Sequence, residues 1–269
     1  MSQFEKILIV GLGNMAGAML DGWLASGLDP ACFVAVDPAR DSAPEGVRLL
    51  RDLPRHEQFD CILLGVKPQL LDEVSGGLES LSRDATMISI LAGTELSTLR
   101  THFPRAAAIA RVMPNLAAAL RMSATTLYCE RADEAGRAGI DDLIGRLGAT
   151  EWLEREDQFH AVTALAGSGP GFVYRFIETL AKAGEELGIP SEQAERLAKQ
   201  MIEGASALAA RSDHSPAELA QRVASPGGTT QAGLDVLDAE GALQALTTEC
   251  LRAAHDRSIE MAENSKKNG

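Results

Sequence analysis

Two adjacent glycines set among hydroxyls, Ser225-Pro226-Gly227-Gly228-Thr229-Thr230, stand between two helix-like segments of a 269-residue chain. Without side chains at Gly227 and Gly228, the backbone can present bare N–H groups at the start of the following helix. There an anion is held by those donors and by the helix dipole. The hydroxyls of Ser225, Thr229 and Thr230 belong to the same turn.

A second anion site is suggested near the N-terminus. Lys6-Ile7-Leu8-Ile9-Val10 is a short apolar run of the kind buried on both faces of a parallel sheet, and it leads into Gly11-Leu12-Gly13-Asn14-Met15-Ala16 and then a helical pattern through Met19, Leu20, Trp23 and Leu24. This GxGxxA spacing between strand and helix suits a dinucleotide. The first glycine allows the tight turn, the second lets a pyrophosphate approach, and the small third residue lets helix and strand pack. The next strand, Phe33-Val34-Ala35-Val36, ends in Asp37, placed to bond the adenosine ribose hydroxyls and so to favour NADH; Arg40, three residues on, could pair with the 2′-phosphate of NADPH. Further strands end in Val66-Lys67-Pro68-Gln69, in Ala92-Gly93-Thr94 and in Pro114-Asn115. In an open parallel sheet such ends form the ligand crevice, which places Val66 to Gln69, Ala92, Gly93 and Asn115 along the cofactor. Plainer readings stand beside these: a glycine turn packed for steric reasons, and Arg40 and Lys67 as solvated surface residues.

The elements that would hold these residues follow from hydrophobic periodicity. Strand runs at 6–10, 33–36, 59–66, 86–91 and 107–113, alternating with helical patterns, predict an α/β fold with a doubly wound Rossmann-type sheet, extended by short strands at 125–128 and 149–153 around a helix from Asp133 to Leu147. After about Asp157 the strand pattern stops. Val162, Leu165, Phe172, Val173, Phe176, Ile177, Leu180 and Leu187 recur at helical spacing, interrupted by Gly167-Ser168-Gly169-Pro170-Gly171. Ser191 reads as an N-cap, Ser215-Pro216-Ala217-Glu218 as a capping box, and a last helix runs from Ala242 to Met261 before a polar tail from Glu263 that is expected to fray. Residues 1–157 are therefore expected to bind the dinucleotide, and residues 158–269 to form an all-helical domain whose apolar, alanine- and glycine-rich faces pair with a second copy.

The totals exclude other classes. A net charge of −13 without a run of five like charges argues against a nucleic-acid surface or a polybasic membrane patch, so the partner is a small molecule, and an anionic one needs local donors. Cys32, Cys61, Cys129 and Cys250 are scattered, which reads as free thiols in a reducing cytoplasm, and the five histidines lack metal-ligand spacing. No apolar stretch approaches a membrane span and the N-terminus lacks a signal-peptide pattern, as expected of a soluble cytoplasmic protein.

Taken together, Val66-Lys67-Pro68-Gln69, Met113-Pro114-Asn115, Gly167-Ser168-Gly169-Pro170 and Ser225-Pro226-Gly227-Gly228-Thr229-Thr230 resemble, in order and spacing, the blocks of the pyrroline-5-carboxylate reductase family over nearly the whole chain. The resemblance implies a dinucleotide-binding domain, a helical dimerisation domain and often rings of dimers. It further implies hydride transfer from NAD(P)H to carbon 5 of 1-pyrroline-5-carboxylate, giving L-proline. By resemblance the substrate is held by Ser225, Gly227, Gly228 and Thr229, with Thr230 as the hydroxyl facing the imine nitrogen, and Glu156 matches a position near the substrate. Asp52 falls where an asparagine often contacts the adenosine ribose. The chain departs from the family at Leu116-Ala117, where Thr-Pro is usual, and at Gly171-Phe172, where Ala-Tyr is common. A related imine or hydroxyacid reductase, and a non-catalytic cofactor-binding regulator, are the competing readings.

Overall fold

Ile7–Val10 (β1), Phe33–Val36 (β2), Arg48–Leu50 (β3), Cys61–Leu64 (β4), Thr86–Ser89 (β5), Ala108–Met113 (β6), Ser123–Cys129 (β7) and Gly148–Trp152 (β8) form one sheet in a computed structural model that describes residues 4–267. The order is β3-β2-β1-β4-β5-β6-β7-β8. Strands β1 to β6 pair in parallel, β7 runs antiparallel to β6, and β8 is parallel to β7. Strands β1, β2 and β4 are apolar throughout because both faces are covered. The edge strand β3 has no sequence signal: it is three residues long, begins with an exposed Arg48 and is only half-buried beyond it.

Four helices cover the sheet: α1 (Asn14–Ala25), α2 (Leu71–Leu78), α3 (Leu96–His102) and α4 (Glu134–Gly145). Side chains alternate along each strand, so Ile7, Ile9 and Leu63 meet Met19, Leu20 and Trp23 of α1 and Ile140, Leu143 and Ile144 of α4, while Leu8, Val10, Ile62 and Leu64 meet α2 and α3. Trp23 stacks on Phe33 at 5.6 Å and donates its indole N–H to the Leu143 carbonyl at 2.8 Å, which satisfies its polar edge inside the core.

The helical half consists of α5 (Phe159–Val162), α6 (Gly169–Glu186), α7 (Ser191–Arg211), α8 (Pro216–Val223), α9 (Thr229–Asp238) and α10 (Ala242–Lys267). The predicted glycine-rich break is a π-helical turn, Thr163–Gly167, between α5 and α6. The α8 capping box is present, with the Ser215 N–H on the Glu218 carboxylate at 2.7 Å and the Glu218 N–H on the Ser215 hydroxyl at 3.3 Å. Ser191 is the first helical residue and Pro190 takes the cap position. The polar stretch from Glu263 is helical as far as Lys267. It carries no apolar repeat, but it continues a helix that is already anchored, which costs little once the earlier turns exist.

The chain divides into two compact units, one running through Gly167 and taking back the residues from Ala254 onward, the other comprising Ser168–Ala253. The first unit therefore extends beyond the point where the strand pattern stops and includes the end of α10. In the second unit α6 and α7 form a hairpin, with Ala194 and Ala198 buried between them. No residue of α6, α8 or α9 is buried, and Phe172, Val173, Tyr174, Phe176, Val223 and Val236 are all exposed. An apolar surface of this extent requires a protein partner.

Two glycine substitutions test the packing. A Cβ at Gly22 would lie 2.1 Å from the Ala118 carbonyl oxygen, whereas one at the exposed Gly76 meets nothing. Gly22→Ala is expected to cost about 1–3 kcal/mol or more, and Gly76→Ala to be neutral or stabilising by up to about 1 kcal/mol. Thermal denaturation of the two variants beside the parent measures both.

Candidate functional site

The glycine loop is built by a close approach. Gly11 has φ +87°, and a Cβ there would sit 2.8 Å from the Val66 nitrogen, so the backbone after β1 and the backbone after β4 touch where no L side chain fits. Gly13 occupies the cap position of α1 without a side-chain cap, and Asn14, Met15 and Ala16 form the first turn, which contains no acidic residue. Those amides are open to a pyrophosphate, and no acidic residue of the first turn opposes it.

Asp37 and Arg40 grip the Leu12 peptide from both sides. Asp37 Oδ2 accepts the Leu12 N–H at 2.8 Å, its Oδ1 accepts the Ala39 N–H at 2.9 Å, and Arg40 Nε donates to the Leu12 carbonyl at 2.9 Å. Arg51 joins the same loop through the Pro38 carbonyl at 2.9 Å and Asp41 at 3.1 Å. Asp52 is exposed just beyond β3. Both residues singled out for cofactor choice are thus also structural: they stiffen the turn that the pyrophosphate would meet.

The remaining crevice residues stand at neighbouring strand ends. Val66 and an exposed Lys67 follow β4, with Pro68 and Gln69 in a short 3-10 turn; Ala92 and Gly93 follow β5. Pro68, Gln69 and Ala92 line a cavity of about 500 Å³ together with His102, Arg257 and Met261. The end of α10 comes so close that a Cβ at Gly93 would lie 3.1 Å from the Met261 backbone. Nothing in the sequence pattern places α10 here; the one hint is Ala262, apolar beside a polar tail and buried in the structure.

Asn115, after β6, is 7% exposed and bonded at its backbone N–H and at both ends of its carboxamide. Its N–H donates to Ser123 Oγ at 3.0 Å, its Oδ1 accepts the Ala117 N–H at 3.0 Å, and its Nδ2 donates to the Ala166 carbonyl at 3.2 Å. Sequence reasoning passed over Arg111, although a charge inside an apolar strand demands a partner. Its guanidinium is almost completely buried, lies over the Phe159 ring at 4.4 Å and pairs with Glu156 at 2.7 Å. The same Glu156 oxygen accepts the Leu96 N–H at 2.7 Å and so caps α3. Next to Phe159, burial, with Arg111 and His255 nearby, holds the His160 imidazole below its usual value, and its Nδ1 meets Ser258 Oγ at 3.0 Å.

In the second unit, Ser225-Pro226-Gly227-Gly228 is a turn closed by the Gly228 N–H on the Ser225 carbonyl at 2.9 Å, with Gly227 at φ +71°. Gly228 caps α9 without a side-chain bond, and Thr229 and Thr230 are its first two residues, both exposed. The Thr230 hydroxyl has no partner among the described residues, so it is not spent on capping its own helix.

Comparison with known proteins agrees with this arrangement. The family model described as pyrroline-5-carboxylate reductase dimerisation matches residues 156–261, and the one described as NADP oxidoreductase, coenzyme F420-dependent, matches residues 6–93. A pyrroline-5-carboxylate reductase of Pseudomonas aeruginosa is 35% identical, with 96% of this chain and 97% of the relative covered; pyrroline-5-carboxylate reductase 2 of Bacillus subtilis is 35% identical, with 96% of each covered. A solved pyrroline-5-carboxylate reductase structure from Coxiella burnetii superposes with a TM-score of 0.88 at 31% identity, over 96% of this chain and 98% of that one.

The chain belongs to the pyrroline-5-carboxylate reductase family.

Membership gives the bonds above a context. Two of the family's blocks are joined directly, since Asn115 of Met113-Pro114-Asn115 holds the carbonyl of Ala166, the residue before Gly167-Ser168-Gly169-Pro170. The departure at Ala117 matters for the same contact. The proline usual in the family has no N–H, whereas Ala117 gives one to Asn115 Oδ1.

Glu156 offers a clear test. If its place is to pair Arg111 and cap α3, Glu156→Gln leaves a buried guanidinium uncompensated and is expected to lower stability by about 3 kcal/mol, read as a fall in denaturation midpoint. A raised KM for substrate at unchanged stability would instead put Glu156 in direct contact with the substrate.

Proposed function

We propose that this protein reduces 1-pyrroline-5-carboxylate to L-proline with NAD(P)H. The observation that carries the reading is the Ser225–Gly228 turn with the unpartnered Thr230 hydroxyl beside it, an anion site with an adjacent free hydroxyl at the start of α9. The substrate carboxylate fits the first-turn amides of α9 at Thr229 and Thr230, since the Gly228 N–H is taken by the Ser225 carbonyl; these amides supply local positive potential in a chain of net charge −13. Bound NAD(P)H would supply a hydride to carbon 5 of the imine, the carbon–nitrogen double bond becoming single as the nitrogen takes up one proton. Thr230 orients that nitrogen and relays the proton from solvent, since a threonine hydroxyl is too weak an acid to supply it alone. The chain's own contribution to rate is alignment, with the glycine loop and the first turn of α1 holding the pyrophosphate and Val66 to Gln69, Ala92 and Gly93 lining its path.

A hydroxyacid reductase on the same plan would use a lysine of the first long helix of the helical domain as its acid, and Lys182, the only lysine in α6, is poorly suited to that. Its ammonium is paired with Glu178 at 2.7 Å on an exposed face. The exposed apolar faces of α6, α8 and α9 support assembly through the helical unit in even numbers of copies, as a dimer or a ring of dimers. No described helix is long and apolar enough to cross a membrane, which supports a cytoplasmic enzyme.

Purified protein with NADH or NADPH and racemic pyrroline-5-carboxylate is expected to oxidise the cofactor, followed by its absorbance. No oxidation above background with either cofactor would overturn the proposal. Thr230→Ala is expected to lower kcat by about 10- to 1000-fold with cofactor affinity unchanged; parental rates in that variant would remove Thr230 from the proton path.

Cofactor choice rests on Asp37 and Arg40. Both Asp37 oxygens already accept backbone N–H groups, and Arg40 uses only Nε on Leu12, so its outer nitrogens remain available for a 2′-phosphate. We therefore expect NADPH to be used at least as well as NADH, with Arg40→Ala lowering kcat/KM for NADPH by about tenfold or more relative to NADH. An equal loss with both cofactors would make Arg40 a brace for the glycine loop and nothing more.

A further inference from the structure

We infer that Asn115 is a positioning residue for hydride transfer, acting through the π-helical turn that it holds at the head of α6. The inference rests on the reaction proposed above.

A π turn widens the helix by one residue and costs regular hydrogen bonding, so it persists only where surrounding groups hold it. Thr163–Gly167 is held at both ends. Before it, Phe159 lies under the Arg111 guanidinium and His160 is bonded to Ser258. Within it, the Ala166 carbonyl takes the Asn115 amide hydrogen at 3.2 Å, and Gly167 packs against Met113, whose sulfur would lie 3.4 Å from a Cβ at that position. The strand end Met113-Pro114-Asn115 therefore forms the seat of the turn.

The amide has one allowed orientation. The Ala117 N–H can only donate, so the atom facing it is Oδ1, and Nδ2 must then face Ala166. The Asn115 backbone is fixed in turn by Ser123 Oγ, which also accepts the Thr125 hydroxyl at 2.9 Å. Both ends of the Asn115 carboxamide are thus engaged by the protein, Oδ1 by Ala117 and one Nδ2 hydrogen by Ala166. Its influence on the reaction runs through Ala166 and Gly167, which it and Met113 hold at the crevice end of β6, where a displacement of an ångström is enough to slow hydride transfer strongly.

The test is Asn115→Asp. Ionised, the new carboxylate faces the Ala166 carbonyl with no hydrogen to give; protonated, it has the shape and the donor of the parent amide. Burial beside a carbonyl raises its pKa, so the change falls within the assay range. With NADPH and pyrroline-5-carboxylate, kcat of the variant is expected to be at least about tenfold below the parent at pH 8.5 and to recover to within about threefold near pH 6, with NADPH affinity unchanged throughout. Amide hydrogen exchange across residues 163–171, compared with the parent at each pH, is expected to be faster in the variant only at the higher pH. That second readout separates failure of this inference from failure of the proposed reaction. A ratio of rates independent of pH, or a loss confined to NADPH affinity, would overturn the inference, the latter by placing Asn115 in the cofactor site.

Discussion

A guanidinium buried inside a strand must find a carboxylate, and in this chain that requirement organises the region after the sheet. Arg111 lies in β6, among residues packed on both faces, and cannot reach water. Glu156 therefore has to fold back onto it, which brings the end of the sheet, the start of α3 and the entry to the helical region to one point, since a single Glu156 oxygen serves both Arg111 and the Leu96 amide. Phe159 then covers the guanidinium, and the π turn, with its bond from Asn115, begins four residues later. A hydrophobic pair in the place of Arg111 and Glu156 would pack as well but would lack the hydrogen-bond directions that fix these elements relative to one another.

The sheet was legible because its central strands are covered on both faces and so read as unbroken apolar runs. For the same reason β3 was not: its pairing with β2 depends on backbone hydrogen bonds, and its side chains carry no burial signal. The four motif blocks located the crevice and the α9 turn, because glycine and proline mark backbone conformations that other residues avoid. They did not show what the side chains would be doing. The sequence offers Asp37 as a ligand contact and Arg40 as a ligand contact or a solvated residue, and the structure gives both the Leu12 peptide to hold; it offers Asn115 as a crevice residue, and its carboxamide joins two backbone segments. Long-range hydrogen bonds such as that from Asn115 to Ala166 leave no periodicity in a single sequence. The glycine-rich interruption was visible, but composition cannot tell a break from a π turn, which differ only in which carbonyls find partners.

An acidic protein that handles anionic ligands has to separate its local electrostatics from its global charge. On the proposed reading this chain would do so with peptide dipoles, at the start of α1 and at the turn before α9, neither of which places an acidic residue in its first helical turn. Peptide donors do not titrate and add no charge that would attract other polyanions. The long-range field of the molecule repels nucleic acids and anionic membranes, while the short-range donors act only on a ligand small enough to reach them.

The first compact unit is made from both ends of the chain, with the last turns of α10 packed on Gly93 and lining the cavity beside Pro68 and Gln69. During synthesis the sheet emerges before the helical unit, but the segment that closes over its β5 loop is made only after that unit. The cofactor-binding half therefore waits through translation of the whole helical unit with part of its apolar surface uncovered. Damage to the last turns of α10 would be felt in the nucleotide-binding half of the molecule, although those residues are separated from it in sequence by the whole helical unit.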